Sequence, residues 1–355
     1  MNINTHDENT DVTATDTSCD EVSSTITSVR SKESHEIPVT QQLILLASIL
    51  FLLLGSALIP RAIALLSPNN SANETSSLVA NTTIDVDDSP AEKQAKPFAD
   101  ITLVGQSAYV WDIQEQRALY KKNESQQLPL ASITKLMTAL VSHELLSEQT
   151  PVIIEEQAIL QDGDSGLLRG ESFTRISLSD LVLMSSSNDG AYALALATGN
   201  LLTDKQPAYA FVNAMNIRAK ELSLHNTYFK NPTGLDISET EGGAYGTAKD
   251  VAFLMEYIVV EQPDILASTQ ELTKRVYSQD GVSHDETNTN HYINKIPGLI
   301  GSKTGFTDLA GGNLVVAFNA GLNRPIIISV LNSTKSERFA DVLKLVDEVQ
   351  KYVTK

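Results

Sequence analysis

The 355-residue chain has one cysteine, Cys19, so no disulfide can form within it and no cysteine-based metal site exists. The fold must rest on a hydrophobic core. Metal-ligand patterning is equally scarce: the six histidines form no HExxH pair and no other tight cluster. His284 and His291 share a polar stretch that reads as loop. Neither a metal nor a cofactor is expected. Positive charge is also short, with 26 Lys and Arg against 44 Asp and Glu and a formal net charge of -18, which argues against a nucleic-acid partner. Roughly half of that excess lies in residues 1–38 and just after residue 67, and is read as solvation. There is no internal repeat, and one large domain with appendages is expected at this length.

The residues that are present divide the chain into four. Residues 1–38 are Thr, Ser, Asp and Glu with no helical or strand period, which describes a disordered acidic tail. Between Glu36 and Arg61 no charge interrupts IPVTQQLILLASILFLLLGSALIP. At ~1.5 Å per residue this helix crosses a bilayer of roughly 30 Å, so 39–66 is read as a transmembrane signal anchor. Cleavage at Ala62-Ile63-Ala64 is the competing reading, disfavoured by the long acidic tail in place of a short basic one. Residues 67–96, rich in Ser, Asn, Pro and acids, read as a flexible spacer.

The domain 97–355 mixes both periodicities. SAYVWDI followed by ALYKK predicts a hairpin, and NLVVAFNA and PIIISVLN, separated by Gly321 to Arg324, predict a second with well-buried strands. SERFADVLKLVDEVQKYV places Phe339, Val342, Leu345, Val346 and Val349 on one helical face. Strands at both ends with a helical middle predict an α+β fold: an antiparallel sheet flanked by helices, with an inserted helical subdomain.

Three short motifs carry the chemistry. In LPLASITKLMTALV a helical pattern begins near Ser132, and Lys135 follows on the same face, in reach of the serine hydroxyl. Free N–H groups at that helix start favour an oxygen gaining negative charge. Serine needs a base, and lysine serves only if its amine is neutral, through burial or a second cation, for which Lys303 in GLIGSKTGFT is the candidate. The third motif is Ser186-Ser187-Asn188 in MSSSNDG. Ser185 is expected to finish the preceding helix, Ser187 to act as spacer, and Asp189 and Gly190 to open the next helix.

Ser-x-x-Lys, Ser-x-Asn and Lys-Thr-Gly in this order resemble the penicillin-recognising serine enzymes. The chain resembles the D-alanyl-D-alanine carboxypeptidases of the low-molecular-weight penicillin-binding protein group, peptidase family S11, over nearly all of 97–355. PLASITKLMTAL, GLLRGESFTRISLSDLVLMSSSNDGAYALA, FKNPTGLD, AYGTAKDVAFLM and GSKTGFTDLAGGNLVVAF carry the resemblance. It implies that Ser132 is the nucleophile, Lys135 its base and Ser186 a proton relay to the leaving amine. It further implies that Asn188 holds an acyl-side amide, that Lys303 and Thr304 bind the terminal carboxylate, and that the N–H groups of Ser132 and Phe306 form the oxyanion hole. Arg338, at the start of a terminal helix, reads as a surface residue with a weak claim to that carboxylate.

The implied substrates are peptidoglycan stem peptides ending in D-Ala-D-Ala, with β-lactams as inhibitors. D,D-endopeptidase action on cross-links uses the same site. A serine β-lactamase of the Glu-assisted kind is disfavoured, since Glu221 in AKELSLHN lacks the expected setting, and a non-catalytic penicillin-binding receptor is disfavoured by the intact motif set. Many family members carry a cleaved signal peptide and a further C-terminal β-rich domain with a membrane helix; here the N-terminal span is expected to replace that anchor. Ser187 stands where glycine is common. Because peptidoglycan lies outside the membrane, the resemblance implies a bacterial single-pass protein with its tail cytoplasmic and its domain extracytoplasmic.

Overall fold

The computed structural model describes residues 97–163 and 165–354. The expectations for the tail, the membrane span and the spacer lie outside the described residues. Among the described residues no helix is long and apolar enough to cross a membrane.

Five strands form the central sheet: β1 (Ser107–Asp112), β2 (Arg117–Lys122), β3 (Leu299–Thr307), β4 (Gly311–Asn319) and β5 (Pro325–Ser333). Their order is β3-β4-β5-β1-β2, antiparallel throughout, and both expected hairpins are present. The register pairs Ser107 with Leu331 and Asp112 with Ile326, joining the two ends of the domain. Strand β3 is an edge strand and is left open on one side.

Six longer helices complete the domain: α1 (Lys135–Leu145), α2 (Arg175–Met184), α3 (Asn188–Gly199), α4 (Pro207–Glu221), α5 (Ala248–Glu261) and α6 (Glu337–Val353). Side-chain alternation along β4 sorts the layers. Leu314, Val316 and Phe318 pack in one core with Phe339, Val342, Leu345, Val346 and Val349 of α6. Val315 and Ala317 point into the opposite core, with Leu136 and Leu140 of α1 and Val251 and Met255 of α5. A strand covered on both faces has no solvent side to mark with polar residues, which is why NLVVAF is a continuous apolar run.

Helix α1 is buried at every residue from Lys135 to Ser142, because the sheet lies on one side of it and the inserted helices on the other. Those helices have their own core, in which Leu178, Leu181 and Val182 of α2 meet Ala191 and Leu194 of α3, with Phe173 and Val276 beneath. One expectation needs correction. His284 lies not in a loop but in a strand, Ser283–Thr287, paired with Thr273–Tyr277. It is buried, with Nε2 3.0 Å from Glu171 Oε1 and its ring against Phe173. The strand's polar sequence, SHDET, conceals its alternation of buried and exposed positions.

Candidate active site

The nucleophile candidate stands on a strained turn. A single 3-10 turn, Ala131–Thr134, precedes α1, so Ser132 lies just ahead of the α-helix proper rather than in its first turn. Ala131 takes φ +47°, in the left-handed region that costs a non-glycine residue about 1–2 kcal/mol. The surroundings hold it there. Asn313 of β4, fully buried, donates through Nδ2 to the carbonyls of Pro129 and Leu130, each at 3.0 Å. Gly234 presses from the other side, where a Cβ would meet the Ala131 carbonyl oxygen at 1.9 Å.

Lys135 is fully buried beneath this turn. Its Nζ lies 2.9 Å from Ser132 Oγ, 2.7 Å from Asn188 Oδ1 and 2.9 Å from the Thr233 carbonyl. Burial lowers its pKa from 10.5 to about 7. Nζ donates toward all three oxygens, and once it loses a proton, as its lowered pKa favours, two N–H groups can still serve Asn188 and Thr233 while the lone pair faces the Ser132 hydroxyl. Desolvation is thus the cause of the shift at Lys135, whereas the sequence pointed also to a second cation. Repulsion between the two lysines falls instead on Lys303, held well below the ordinary range by burial first, then by Lys135 and Arg338.

The second wall carries Ser186 and Lys303. Helix α2 ends at Met184 and α3 begins at Asn188, with Ser186 between them at φ +66°. Its Oγ accepts from Lys303 Nζ at 2.9 Å, and the same amine donates to the Thr304 carbonyl at 2.9 Å. Ser185 finishes α2 as expected, while Ser187, expected only as a spacer, is the N-cap of α3. Ser185 Oγ closes α2 on the Leu181 carbonyl at 2.9 Å, and Ser187 Oγ caps α3 by accepting from Gly190 N at 2.9 Å. Asn188 is engaged at both ends, since Nδ2 donates to the Asp162 carbonyl at 2.6 Å. It therefore steadies Lys135, and an acyl-side amide would have to displace Asp162.

Edge strand β3 closes the cleft. A Cβ on Gly305 would lie 3.2 Å from Ser132 N and 2.8 Å from the Leu130 carbonyl, so only glycine lets the strand come this close to the nucleophile turn. Phe306 follows it and is partly exposed. Thr304 Oγ1 lies 2.7 Å from Thr289 Oγ1. Arg338 is not on the surface. It is 6% exposed, donates to the Gly305 carbonyl at 2.6 Å, and has its pKa lowered to about 10 by burial. Glu221 sits at the end of α4, exposed and paired with Arg218 at 2.9 Å. The sequence reading gave no role to Thr233, Thr289 or Asn313. Only Asn313 left a signal, as the lone polar side chain opening the apolar run of β4.

A serine beside a neutral buried amine can be acylated by a carbonyl substrate, and the amine beside Ser186 can meet an anion. With a five-stranded antiparallel sheet between helical layers, this defines a serine enzyme of the penicillin-recognising class. Penicillin-binding protein D2 of Listeria monocytogenes, in its ampicillin-bound form, is similar at 28% identity and a TM-score of 0.60, over 70% of this chain and 98% of that one. The D-alanyl-D-alanine carboxypeptidase DacF of Bacillus subtilis is 31% identical over 72% of this chain and 65% of its own length. A D-alanyl-D-alanine endopeptidase of Pseudomonas aeruginosa is 34% identical over 72% of this chain and 80% of its own. The family model described as D-alanyl-D-alanine carboxypeptidase, peptidase S11, matches residues 91–335, and the chain belongs to that family.

Proposed function

We propose that the protein is a serine-type D,D-carboxypeptidase that removes the terminal D-Ala from peptidoglycan stem peptides. The observation that carries this reading is the pairing of two buried amines with two serines, Lys135 with Ser132 and Lys303 with Ser186, each at 2.9 Å. Neutral Lys135 takes the Ser132 proton as Oγ attacks the carbonyl of the penultimate D-Ala. The oxyanion is met by the N–H groups of Ser132 and Phe306. Ser186 gives its proton to the departing D-Ala amine, while Lys303 and Thr304 hold the carboxylate. The proton taken up by Lys135 is returned to Ser186, which leaves Lys135 neutral again to accept a proton from the water of the next step. Water then cleaves the ester and frees Ser132. An anionic carboxylate arriving beside Lys303 restores the proton that burial and its neighbours disfavour.

The relative from Pseudomonas aeruginosa named as an endopeptidase supports a second reading on the same residues, cleavage of D-Ala cross-links. By the same reading β-lactams acylate Ser132. Residues 39–66 anchor the protein, with the tail cytoplasmic and the domain facing the wall, a placement that rests on the uncharged stretch and on where peptidoglycan lies.

Purified protein and Ser132→Ala are each given a peptide ending in D-Ala-D-Ala and a cross-linked stem-peptide dimer, and free D-Ala and monomer are measured. Wild type should release D-Ala and the variant none. Equal slow release by both would sink the assignment, and monomer without D-Ala would favour the endopeptidase. Run on spheroplasts, the same assay reads orientation, since release only after lysis contradicts the outward placement.

A further inference from the structure

Between the hairpin that ends at Thr287 and β3, the segment Asn288-Thr289-Asn290 ties the two walls of the cleft together. Asn288 and Asn290 are 2% and 1% exposed, and both ends of each amide are hydrogen-bonded. Asn288 Nδ2 donates to the carbonyls of Thr269 and Glu271 at 2.9 and 3.0 Å, and its Oδ1 accepts from Asn290 N at 2.8 Å. Asn290 Nδ2 donates to Ser302 Oγ at 3.0 Å, and its Oδ1 accepts from Tyr292 N at 3.1 Å. Thr289 N donates to the carbonyl of Met184, the last residue of α2, at 3.0 Å. Asparagine amides and one backbone bond thus hold β3 to the end of α2, just ahead of Ser186. The Thr289 hydroxyl is not needed for that anchoring.

That hydroxyl has another partner, Thr304 Oγ1 at 2.7 Å. Thr304 has a single hydroxyl proton, and in this arrangement it points at Thr289. To bind a carboxylate it must turn that proton into the cleft, which leaves its oxygen free to accept. Thr289 then donates in turn, and the two aligned hydroxyls reinforce each other. We propose that Thr289 is a positioning residue of the carboxylate pocket: its hydroxyl donates to Thr304 Oγ1 and directs the Thr304 proton at the substrate's terminal carboxylate beside Lys303. The inference rests on the carboxypeptidase reading above.

The test compares wild type, Thr289→Val and Thr289→Ser in the full-length protein. Steady-state release of D-Ala is measured with a peptide ending in D-Ala-D-Ala, and the C-terminally amidated peptide is used as a competitor. Loss of one supporting hydrogen bond should raise KM about 5- to 10-fold in the valine variant, with kcat within about 2-fold of wild type. Affinity for the amidated competitor should be unchanged, and serine should restore KM. A fall in kcat with unchanged KM marks a merely structural role and overturns the proposal, as does a valine variant matching an active wild type. A wild type that releases no D-Ala overturns the carboxypeptidase reading and this inference together.

Discussion

Lys135→Met should disable the protein and stabilise it at neutral pH. Methionine keeps an unbranched side chain and removes the buried amine. Because that amine titrates at about 7 in the fold against an ordinary 10.5, the folded state holds the proton less tightly than the unfolded chain. At about 1.4 kcal/mol per pH unit the penalty is about 5 kcal/mol. Methionine also leaves Asn188 Oδ1 and the Thr233 carbonyl without their donor, at a cost of about 1–2 kcal/mol each. The net gain is then about 1–3 kcal/mol, or several degrees in Tm for a domain of this size.

The pH dependence gives the sharper test. Between pH 7 and 10.5 the unfolded chain binds more protons than the folded one, so wild-type stability rises with pH across that window. The penalty is complete below pH 7 and gone above 10.5. Thermal melts at several pH values from neutral to alkaline should show the advantage of the Lys135→Met variant shrinking steadily as pH rises. A variant less stable than wild type at pH 7, or an advantage that grows with pH, would refute the reasoning. Acylation of wild type by fluorescent penicillin should climb through a pH of about 7 and level off above it, since only the neutral amine accepts a proton.

Ser186→Ala should lower D-Ala turnover by about 100-fold or more, whereas Ser185→Ala, whose hydroxyl only closes α2 on Leu181, should stay within about 2-fold of wild type. Comparable losses in both would remove Ser186 from the mechanism. Gly305→Ala should push β3 off the nucleophile turn, because the added Cβ meets the Leu130 carbonyl at 2.8 Å and backbone cannot swing aside. Acylation should slow by about 100-fold while the variant still melts cooperatively; wild-type acylation kinetics would contradict the close approach.

The sheet was legible in the chain wherever one rule governed a whole element. Alternating or β-branched runs marked both hairpins, and the spacing of Phe339, Val342, Leu345, Val346 and Val349 marked the face that α6 buries. Ser132 and Lys135 were legible because helical periodicity alone brings them together. Arg338 was not, since its burial depends on a carbonyl offered by Gly305, 33 residues away in sequence. Thr233 contributes only its carbonyl, and a backbone contact leaves no trace in side-chain identity. Thr289 lies in TNTN, a polar stretch that reads as loop until its neighbours' amides are counted. His284 failed for a related reason: its partner Glu171 comes from 113 residues away, so no local pattern announces a buried polar strand.

The pairing of β1 with β5 has a consequence for assembly. Residues 107–112 pair with β2 on one edge but find their other partners at 326–331, so the central sheet cannot close until nearly the whole domain has been synthesised. The nucleophile turn leans on Asn313, and the Gly305 carbonyl on Arg338, so the reactive geometry also depends on late-made parts. Nascent chains shorter than about 340 residues therefore carry Ser132 and Lys135 without the strand and helix that shape the cleft around them. On the proposed function a partly made chain is an unarmed one, and Ser132 gains its shaped cleft only once β5 and α6 have docked.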